Sequence, residues 1–182
     1  MTDLDRLRRL LRERSLRRGD FVLASGARSS YYIDCRLTTM SGVGQLLLGR
    51  LGLEALGRAG WRPAALGGLT LGADPVAYAI AHASAAAGGR LDAFTVRKEA
   101  KEHGTGRLIE GPFPQHADVV VVEDVVTTGG SALKAIAAVQ AAGARVLGVL
   151  AVVERDPAGR ETLRAAGHGL IVLTTAEELL AE

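Results

Sequence analysis

The sequence predicts an α/β fold in which helices flank a mainly parallel sheet. Strand-like apolar runs alternate with helical patterns from residue 41 onward, as they do when helices connect parallel strands. These runs are apolar at nearly every position, which is typical of strands covered on both faces. The chain has 182 residues and only 4% aromatic ones, so Ala, Val, Leu and Ile must fill its core. We expect a single domain over 1–182, with a small N-terminal segment, 1–40, packed against a core of 41–182.

The N-terminal segment predicts one helix and two short strands. Apolar residues recur at helical spacing over 3–18, with arginines on the remaining faces. These apolar residues are Leu4, Leu7, Leu10 and Leu11. Gly19 is expected to end the helix, and short strands follow at 21–23 and 31–35. Cys35, the single cysteine, is expected to be a small core residue.

The remaining elements alternate regularly. Helices are predicted at about 41–59, 74–87, 130–142 and 157–166, and strands at 64–68, 93–97, 118–122, 146–153 and 170–173. A long polar stretch covers 98–117. Thr175 and Glu178 have the spacing of a capping box, which predicts a short final helix.

Charge and hydropathy argue against several classes of protein. Lys and Arg number 22 against 20 for Asp and Glu, a net charge of +2, so no nucleic-acid partner is expected. No uninterrupted apolar stretch approaches the roughly 18 residues of a membrane span, and the first residues lack the apolar core of a signal peptide. A lone cysteine cannot form an intramolecular disulfide. We therefore expect a cytoplasmic protein with no membrane partner.

The most informative segment follows the strand predicted at 118–122. Four valines bury this strand and bring Glu123 and Asp124 to the open end of the sheet, where such folds bind ligands. A loop then enters a helix, and its free N–H groups suit a phosphate. The loop residues are Val125, Val126, Thr127, Thr128, Gly129, Gly130 and Ser131. A ribose phosphate would satisfy both features, because its hydroxyls donate to the acids. The alternative is an ordinary turn with its acids in solvent.

This segment resembles the motif that binds phosphoribosyl pyrophosphate (PRPP) in type I phosphoribosyltransferases. The likeness includes the apolar run, the acidic pair and the ending Thr-x-Gly-Gly-Ser. It implies a fold of that family, in which 1–40 forms a hood over the site. It also implies that Glu123 and Asp124 hold the ribose hydroxyls and that 125–131 hold the 5-phosphate. The sequence contains neither the G-x-x-x-x-G-K-[ST] motif nor a G-x-G-x-x-G motif that opens a helix.

A second segment is dense in cations: Arg97, Lys98, Lys101 and His103. A solvated charged loop would explain it, but it resembles the R-K-x-x-K-x-H-G catalytic loop of orotate phosphoribosyltransferases. The resemblance implies that all four residues contact PRPP and act in catalysis together with Asp124, with Lys101 as the main electrostatic catalyst. Such cations stabilise the charge that develops on departing pyrophosphate. In the family this loop reaches the neighbouring subunit, which implies a homodimer.

A further loop lies between the strand at 64–68 and the next helix. Its residues are Gly68, Leu69, Thr70, Leu71, Gly72 and Ala73. Glycine allows the backbone to approach a ligand closely, although a plain turn is the alternative. The segment resembles the family's pyrophosphate loop, which implies that role.

Two segments resemble the family's pyrimidine site. The pattern F-x-L-x-S-G-x-x-S-x-Y-Y-x-D over 21–34 implies that Tyr31 and Tyr32 contact orotate, although core aromatic residues are the alternative. Arg155 follows a strand and could hold a carboxylate through two hydrogen bonds. The resemblance gives Arg155 the orotate carboxylate, with help from Thr127; a surface arginine is the alternative. Many members carry Lys where this chain has Ala24, so that contact is absent or replaced.

The resemblance spans 20–156. It implies transfer of the phosphoribosyl group of PRPP to N1 of orotate, giving orotidine 5'-monophosphate and pyrophosphate in the synthesis of UMP. It further implies that Mg²⁺ is carried by PRPP, without a direct protein ligand. Two alternatives stay open: a purine or uracil phosphoribosyltransferase, and a PRPP-sensing regulator of the same fold.

Overall fold

The computed structural model describes residues 1–22, 26, 28–99 and 108–181. In chain order the elements are α1 (Asp3–Arg14), β1 (Leu16–Val22), β2 (Arg28–Ile33), α2 (Arg36–Thr39), α3 (Gly42–Arg58), β3 (Ala65–Leu69), α4 (Ala73–Ala86), β4 (Asp92–Val96), β5 (Ile109–Glu110), β6 (Asp118–Val126), α5 (Gly130–Ala141), β7 (Arg145–Glu154), α6 (Pro157–Ala165), β8 (Leu170–Thr175) and α7 (Ala176–Leu180). They form the predicted α/β fold. None of these described helices is long and apolar enough to cross a membrane.

The main sheet determines where a ligand can bind. Its strands lie in the order β5-β4-β3-β6-β7-β8. Neighbouring strands are parallel except β4 and β5, which are antiparallel. The chain moves outward from β3 to β4 on one side and from β6 to β8 on the other, so the direction reverses between β3 and β6. Ligands bind at the carboxyl ends of the strands beside such a reversal.

The central strand β6 is buried on both faces. Val120 and Val122 belong to an apolar cluster with residues of α3 and α4, whereas Val119 and Val121 belong to a second cluster with residues of α5. All four valine side chains are fully buried. Because side chains alternate along a strand, a continuous apolar run is what two covered faces require.

The first helix ends earlier than predicted. The prediction of a helix over 3–18 is wrong, because Arg14 is its last residue and Leu16 begins β1. Leu16 pairs with Ile33 of β2 and packs against the main core, so the hairpin takes residues that the leucine spacing assigned to the helix. Gly19 lies within β1 beside an irregularity in pairing, and it does not end the helix.

Strand β6 is longer than predicted. It continues past residue 122 because Val125 and Val126 pair with Val153 and Glu154 of β7. The acidic pair therefore lies inside the strand, with one carboxylate on each face. Strand β5 falls within the long polar stretch of 98–117, and neither β5 nor the short helix α2 was predicted.

The N-terminal segment contributes to the core and also forms a separate hairpin. Leu7 and Leu11 of α1 belong to the cluster that includes α3. Strands β1 and β2 form a two-stranded sheet of their own, and Nη2 of Arg18 donates to the carbonyl of Leu180 at 3.0 Å. The division into 1–40 and 41–182 stays a prediction.

Two smaller predictions are confirmed. Cys35 is buried, and burial raises the pKa of its thiol well above the usual range. Thr175 and Glu178 form both hydrogen bonds of a capping box at the start of α7.

The single tryptophan lies toward the amino end of the sheet. Trp61 packs across Gly148 of β7, where an added Cβ would overlap its ring. Gly148 pairs with Val120 of β6, so this indole contacts the start of the central strands.

Candidate active site

Two carboxylates of β6 lie at the carboxyl end of the sheet. Glu123 is 5% exposed, and within the described part of the chain its Oε1 has no hydrogen-bond partner. Burial, and secondarily the charge of Asp124, raises the pKa of Glu123 to about 8. Burial also raises the pKa of Asp124, although the N–H of Val125 donates to its Oδ1 at 2.9 Å. A buried carboxyl group without a partner is costly unless a ligand supplies one.

The loop after β6 turns into α5 and forms an anion-sized recess. Gly129 precedes the helix with a φ of +81°, in the left-handed region that favours glycine. The recess has a volume of about 100 Å³. It is lined by Glu123, Val125, Val126, Thr127, Thr128, Gly129, Gly130, Ser131 and Ala132. The structure thus brings the predicted loop residues together with Glu123 at a helix N-terminus, where negative charge is favoured.

The loop after β3 passes beside Asp124. A Cβ added to Gly72 would lie 2.5 Å from Oδ1 of Asp124. A Cβ added to Gly68 would overlap the carbonyl oxygen of Val122. Only glycine fits at Gly68, where the overlap is with backbone, and a side chain at Gly72 would displace the carboxylate of Asp124. The predicted pyrophosphate loop and the acidic pair therefore form one continuous edge of the site.

Hydrogen bonds hold this loop on the first turn of α4. The hydroxyls of Thr70 and Thr95 donate to the two carboxylate oxygens of Asp74, at 2.7 Å and 2.8 Å. The peptide bond between Thr70 and Leu71 is cis. Asp74 is buried, and its place in the first turn suits a negative charge.

Arg97 and Lys98 lie at the start of the predicted catalytic loop. They line a cavity of about 460 Å³ together with Thr70, Thr95, Glu99 and Glu110. Nη1 of Arg97 lies 3.8 Å from a carboxylate oxygen of Glu110. These two cations therefore share a cavity with the predicted pyrophosphate loop. Lys101 and His103, like Ala24, lie outside the described residues.

Arg155 links the phosphate-binding loop with the N-terminal hairpin. Its backbone N–H donates to the backbone carbonyl of Val126 at 2.8 Å, and Val126 directly precedes Thr127. Its guanidinium carbon lies 5.0 Å from the ring centroid of Tyr31, and its Nη2 donates to Oγ of Ser29 at 3.0 Å. The structure therefore brings Arg155, Tyr31 and Thr127 to one place.

Tyr32 is not brought to the same place. It lies on the other face of β2 from Tyr31 and is 39% exposed. Its ring centroid is 5.7 Å from that of Phe21. Successive strand residues face opposite ways, so the period of a strand was the signal that separates the two tyrosines.

Comparisons with known proteins agree with this geometry. No family model matches the chain. The orotate phosphoribosyltransferase of Aquifex aeolicus is 45% identical over 183 residues, covering 99% of each chain. A crystal structure of Mycobacterium tuberculosis H37Rv orotate phosphoribosyltransferase in complex with Fe(III) dicitrate has a TM-score of 0.86 and 44% identity, covering 98% of this chain and 99% of that one. The chain belongs to the orotate phosphoribosyltransferase family.

A second structure of the Mycobacterium tuberculosis enzyme is a complex with PRPP. It has a TM-score of 0.83 and 41% identity, covering 98% of this chain and 99% of that one. Membership in the orotate phosphoribosyltransferase family confirms both the resemblance inferred from the motifs and the predicted fold. It favours the orotate enzyme over the purine, uracil and regulator alternatives.

In this member of the orotate phosphoribosyltransferase family, sequence reasoning missed a charged pair near Asp124. Nε and Nη2 of Arg36 donate to the two carboxylate oxygens of Asp34, at 2.8 Å and 3.0 Å. Burial is the main influence on the pKa of Asp124, but the charge of Arg36 lowers it and that of Asp34 raises it. Opposite charges two residues apart, just after the tyrosine pair and Ile33, were the available signal.

A second missed pair joins Glu154 of β7 to Arg160 of α6. No local pattern indicates it, because an element boundary and a helix start separate the two residues. Its position next to Arg155 makes it relevant to the pyrimidine side of the site.

Proposed function

We propose that the chain transfers the phosphoribosyl group of PRPP to N1 of orotate, giving orotidine 5'-monophosphate and pyrophosphate in the synthesis of UMP. The observation that carries the proposal is the hydrogen bond from the backbone N–H of Arg155 to the carbonyl of Val126. It places a cation suited to a carboxylate beside the phosphate-binding loop. Orotate has a carboxylate, whereas uracil and the purine bases do not. We place the reaction in the cytoplasm, since both substrates are charged and cannot cross a bilayer unaided.

Glu123 and Asp124 are assigned to the ribose hydroxyls, and the recess over 125–131 to the 5-phosphate. With a pKa of about 8, most Glu123 side chains carry a proton at neutral pH and can donate as well as accept. A neutral Glu123 also weakens the repulsion between the acidic pair and an incoming phosphate. A ribose hydroxyl would supply the partner that Oε1 of Glu123 lacks.

The pyrophosphate group is assigned to the loop over 68–73, together with Arg97 and Lys98. Breaking the bond between ribose C1 and pyrophosphate leaves cationic character on the sugar and negative charge on the leaving group. Cations held at the leaving group stabilise this transition state more than the ground state. We assign Lys101 and His103 to the same task, with Lys101 as the main electrostatic catalyst. Closure of their loop would keep water from the reactive sugar.

Orotate is assigned to the space beside Arg155, with its carboxylate on the guanidinium and Thr127 next to it. Tyr31 lies against Arg155 and is a better candidate than Tyr32 for contact with the pyrimidine ring. N1 of orotate then attacks C1 as pyrophosphate leaves. Orotate N1 can arrive already deprotonated, so the proposal needs no general base.

Mg²⁺ fits this site as a partner of PRPP. Its preferred ligands are oxygens, which the pyrophosphate of PRPP would supply, and the carboxylate of Asp124 lies next to the pyrophosphate loop at Gly72, where a nearby positive charge is favoured. Over the described ranges, no group of three or more His, Cys, Asp or Glu could hold a metal ion. When bound, Mg²⁺ offsets the negative charge of pyrophosphate. That PRPP carries the ion without a direct protein ligand stays a prediction.

We further propose a homodimer in which each catalytic loop reaches the partner's site. The support is a set of four large apolar side chains on α2, its C-cap and the start of α3. They are Leu37, Met40, Val43 and Leu46, each 49–50% exposed. Large apolar side chains clustered at this exposure indicate an interface, and a second copy is the partner we propose.

Subunit complementation tests the shared loop. Lys101→Ala and Asp124→Asn chains should each be nearly inactive as homodimers. After subunit exchange, half of the dimers carry one intact site of two, so about a quarter of the normal rate should return. No recovery after demonstrated exchange would contradict a shared loop, and sedimentation showing a monomer would contradict the dimer.

The first test of the reaction follows the absorbance of orotate on mixing the protein with PRPP and Mg²⁺. Uracil, hypoxanthine and adenine serve as parallel substrates. Loss of orotate that requires both PRPP and Mg²⁺ is the expected result. Turnover of another base without turnover of orotate would contradict the assignment of Arg155, and no turnover at all would favour the regulator.

A further inference from the structure

We infer that Glu154 and Arg160 form a positioning pair that holds Arg155 in place for the carboxylate of orotate. The inference rests on the proposed function, because that proposal gives Arg155 its ligand. Neither member of the pair needs to contact substrate. Their effect would reach orotate only through the backbone that carries Arg155.

The pair links α6 with β7 and β8 at the residue that precedes Arg155 in the chain. Glu154 is the last residue of β7 and is 8% exposed. Nε and Nη2 of Arg160 donate to its two carboxylate oxygens, both at 2.8 Å. Nη1 of Arg160 donates to the carbonyl of Leu170 in β8 at 2.9 Å. A planar guanidinium bound at all these points allows little variation in geometry.

The chain after Arg155 is held as well. The N–H of Ala158 donates to the side chain of Asp156 at 2.9 Å, which caps α6. A Cβ added to Gly159 would lie 2.5 Å from Cγ1 of Val126 and 2.7 Å from the carbonyl oxygen of Thr127. The first turn of α6 therefore rests on the end of β6. Arg155 lies between two fixed segments, and Arg160 is the side chain that binds α6 back to β7.

The side chain of Arg155 has weaker restraints of its own. Nη2 donates to Ser29 at 3.0 Å and to the carbonyl of Tyr31 at 3.3 Å, both in the N-terminal hairpin. Two parallel hydrogen bonds to a carboxylate require the plane of the guanidinium to be aligned with that of the ligand. The orientation of Arg155 therefore depends on its backbone, which is held by the hydrogen bond from its own N–H to Val126 and by the adjacent Glu154–Arg160 pair.

The same two strands supply a matched control at their other end. Nε and Nη2 of Arg145 in β7 donate to the carboxylate of Asp118 in β6, at 2.5 Å and 2.6 Å. This pair has the same two-point geometry, but it begins the strands instead of ending them. The length of β6 puts it about 25 Å from the end of the strand that lies next to Arg155, at 3.3 Å per residue.

The test compares Arg160→Met with Arg145→Met by steady-state kinetics. We expect Arg160→Met to raise the KM for orotate about tenfold, because small misplacement of a binding group has effects of this size or larger. The KM for PRPP and kcat should stay within about twofold of the parent values. Arg145→Met should change none of these constants. A second variant, Glu154→Gln with Arg160→Met, removes the uncompensated buried charge and should raise the orotate KM similarly.

The outcomes separate positioning from simple structural support. An unchanged KM for orotate in folded variants would overturn the inference, and so would a fall in kcat with both KM values unchanged. If Arg160→Met does not fold, the double variant decides by the same criteria. A parent protein that turns over orotate beside variants with an unchanged KM would overturn this inference alone. A parent protein inactive toward orotate would overturn the proposed function and this inference together.

Discussion

Two buried glutamates on neighbouring strands have opposite surroundings. Glu123 of β6 and Glu154 of β7 are 5% and 8% exposed and lie at the same end of the sheet. Glu154 accepts two hydrogen bonds from Arg160, whereas Oε1 of Glu123 has no partner in the described chain and the pKa of this residue is raised to about 8. Folding alone gives no reason to bury an uncompensated acid. The paired glutamate therefore supports the fold, and the unpaired one is available to a ligand.

Stability should separate the two glutamates most strongly. Arg160→Met leaves Glu154 buried without a partner and should lower the free energy of unfolding by about 1–3 kcal/mol at neutral pH, a range that allows for the partial exposure of Arg160. Glu123→Gln removes a buried acid whose Oε1 lacks a hydrogen-bond partner among the described residues, so it should leave the free energy of unfolding unchanged or higher. Urea unfolding followed by circular dichroism checks both. Equal losses of stability in the two variants would contradict the distinction between a paired and an unpaired glutamate.

Catalytic efficiency with PRPP should instead depend on Glu123. Glu123→Gln should lower kcat/KM for PRPP by about twofold to tenfold, since a hydrogen bond between neutral groups contributes about 0.5–1.5 kcal/mol. Arg145→Met serves as the control with unchanged kcat/KM. The measurement is initial rate against PRPP concentration at saturating orotate. A Glu123→Gln enzyme with normal kcat/KM would contradict the assignment of Glu123 to the ribose.

The pH dependence of stability should sharpen the difference. Between pH 4.5 and about 8, folded Glu123 keeps a proton that the unfolded chain has lost. The unfolded state then binds fewer protons, so the free energy of unfolding falls as pH rises, with a slope of about 1.4 kcal/mol per pH unit. This contribution is fully present below pH 4.5 and is lost as pH rises through 8.

Glu123→Gln should remove most of that slope in the ligand-free protein. Asp124, whose pKa is also raised, would retain a smaller slope of the same sign. Urea unfolding at a series of pH values provides the measurement. Stability that climbs from pH 5 to 8 in the parent protein would refute a raised pKa for Glu123.

The smallest effect is expected at the exposed charged pair. Arg145 and Asp118 have a two-point geometry like that of Arg160 and Glu154, but solvent reaches both. Exposed pairs gain little because water competes for each charge. Arg145→Met should therefore leave the urea midpoint unchanged within experimental error. A clear loss of stability would mean that geometry, rather than burial, determines how much such ion pairs contribute to the stability of this protein.

Features that are contiguous in the chain were predictable from the sequence. The acidic pair and the loop from Thr127 to Ser131 form one uninterrupted segment, so their chemistry could be inferred without knowing the fold. Arg155 could be placed at a strand end for the same reason. The alternation of strands and helices also indicated the sheet, because covered strands need apolar residues on both faces.

Features that depend on pairing between distant segments were not predictable in this way. The leucine spacing continued the first helix to 18, but Leu16 pairs with Ile33 in a hairpin. The end of β6 was placed too early, since its last residues are strand only because β7 lies beside them. The partner of Glu154 could not be identified before the start of α6 was known. Tyr32 could have been separated from Tyr31 by strand period, since both lay within the strand predicted at 31–35.

The contact between Trp61 and Gly148 gives the protein a built-in optical reporter. Trp61 is the only indole in the chain, and Gly148 precedes Glu154 by six positions along β7, about 20 Å at 3.3 Å per residue. Its fluorescence should therefore respond to melting of the central strands while remaining insensitive to nucleotide or base chemistry at the far end. Unfolding can then be followed with substrates present, so stabilisation by PRPP becomes measurable without labelling the chain.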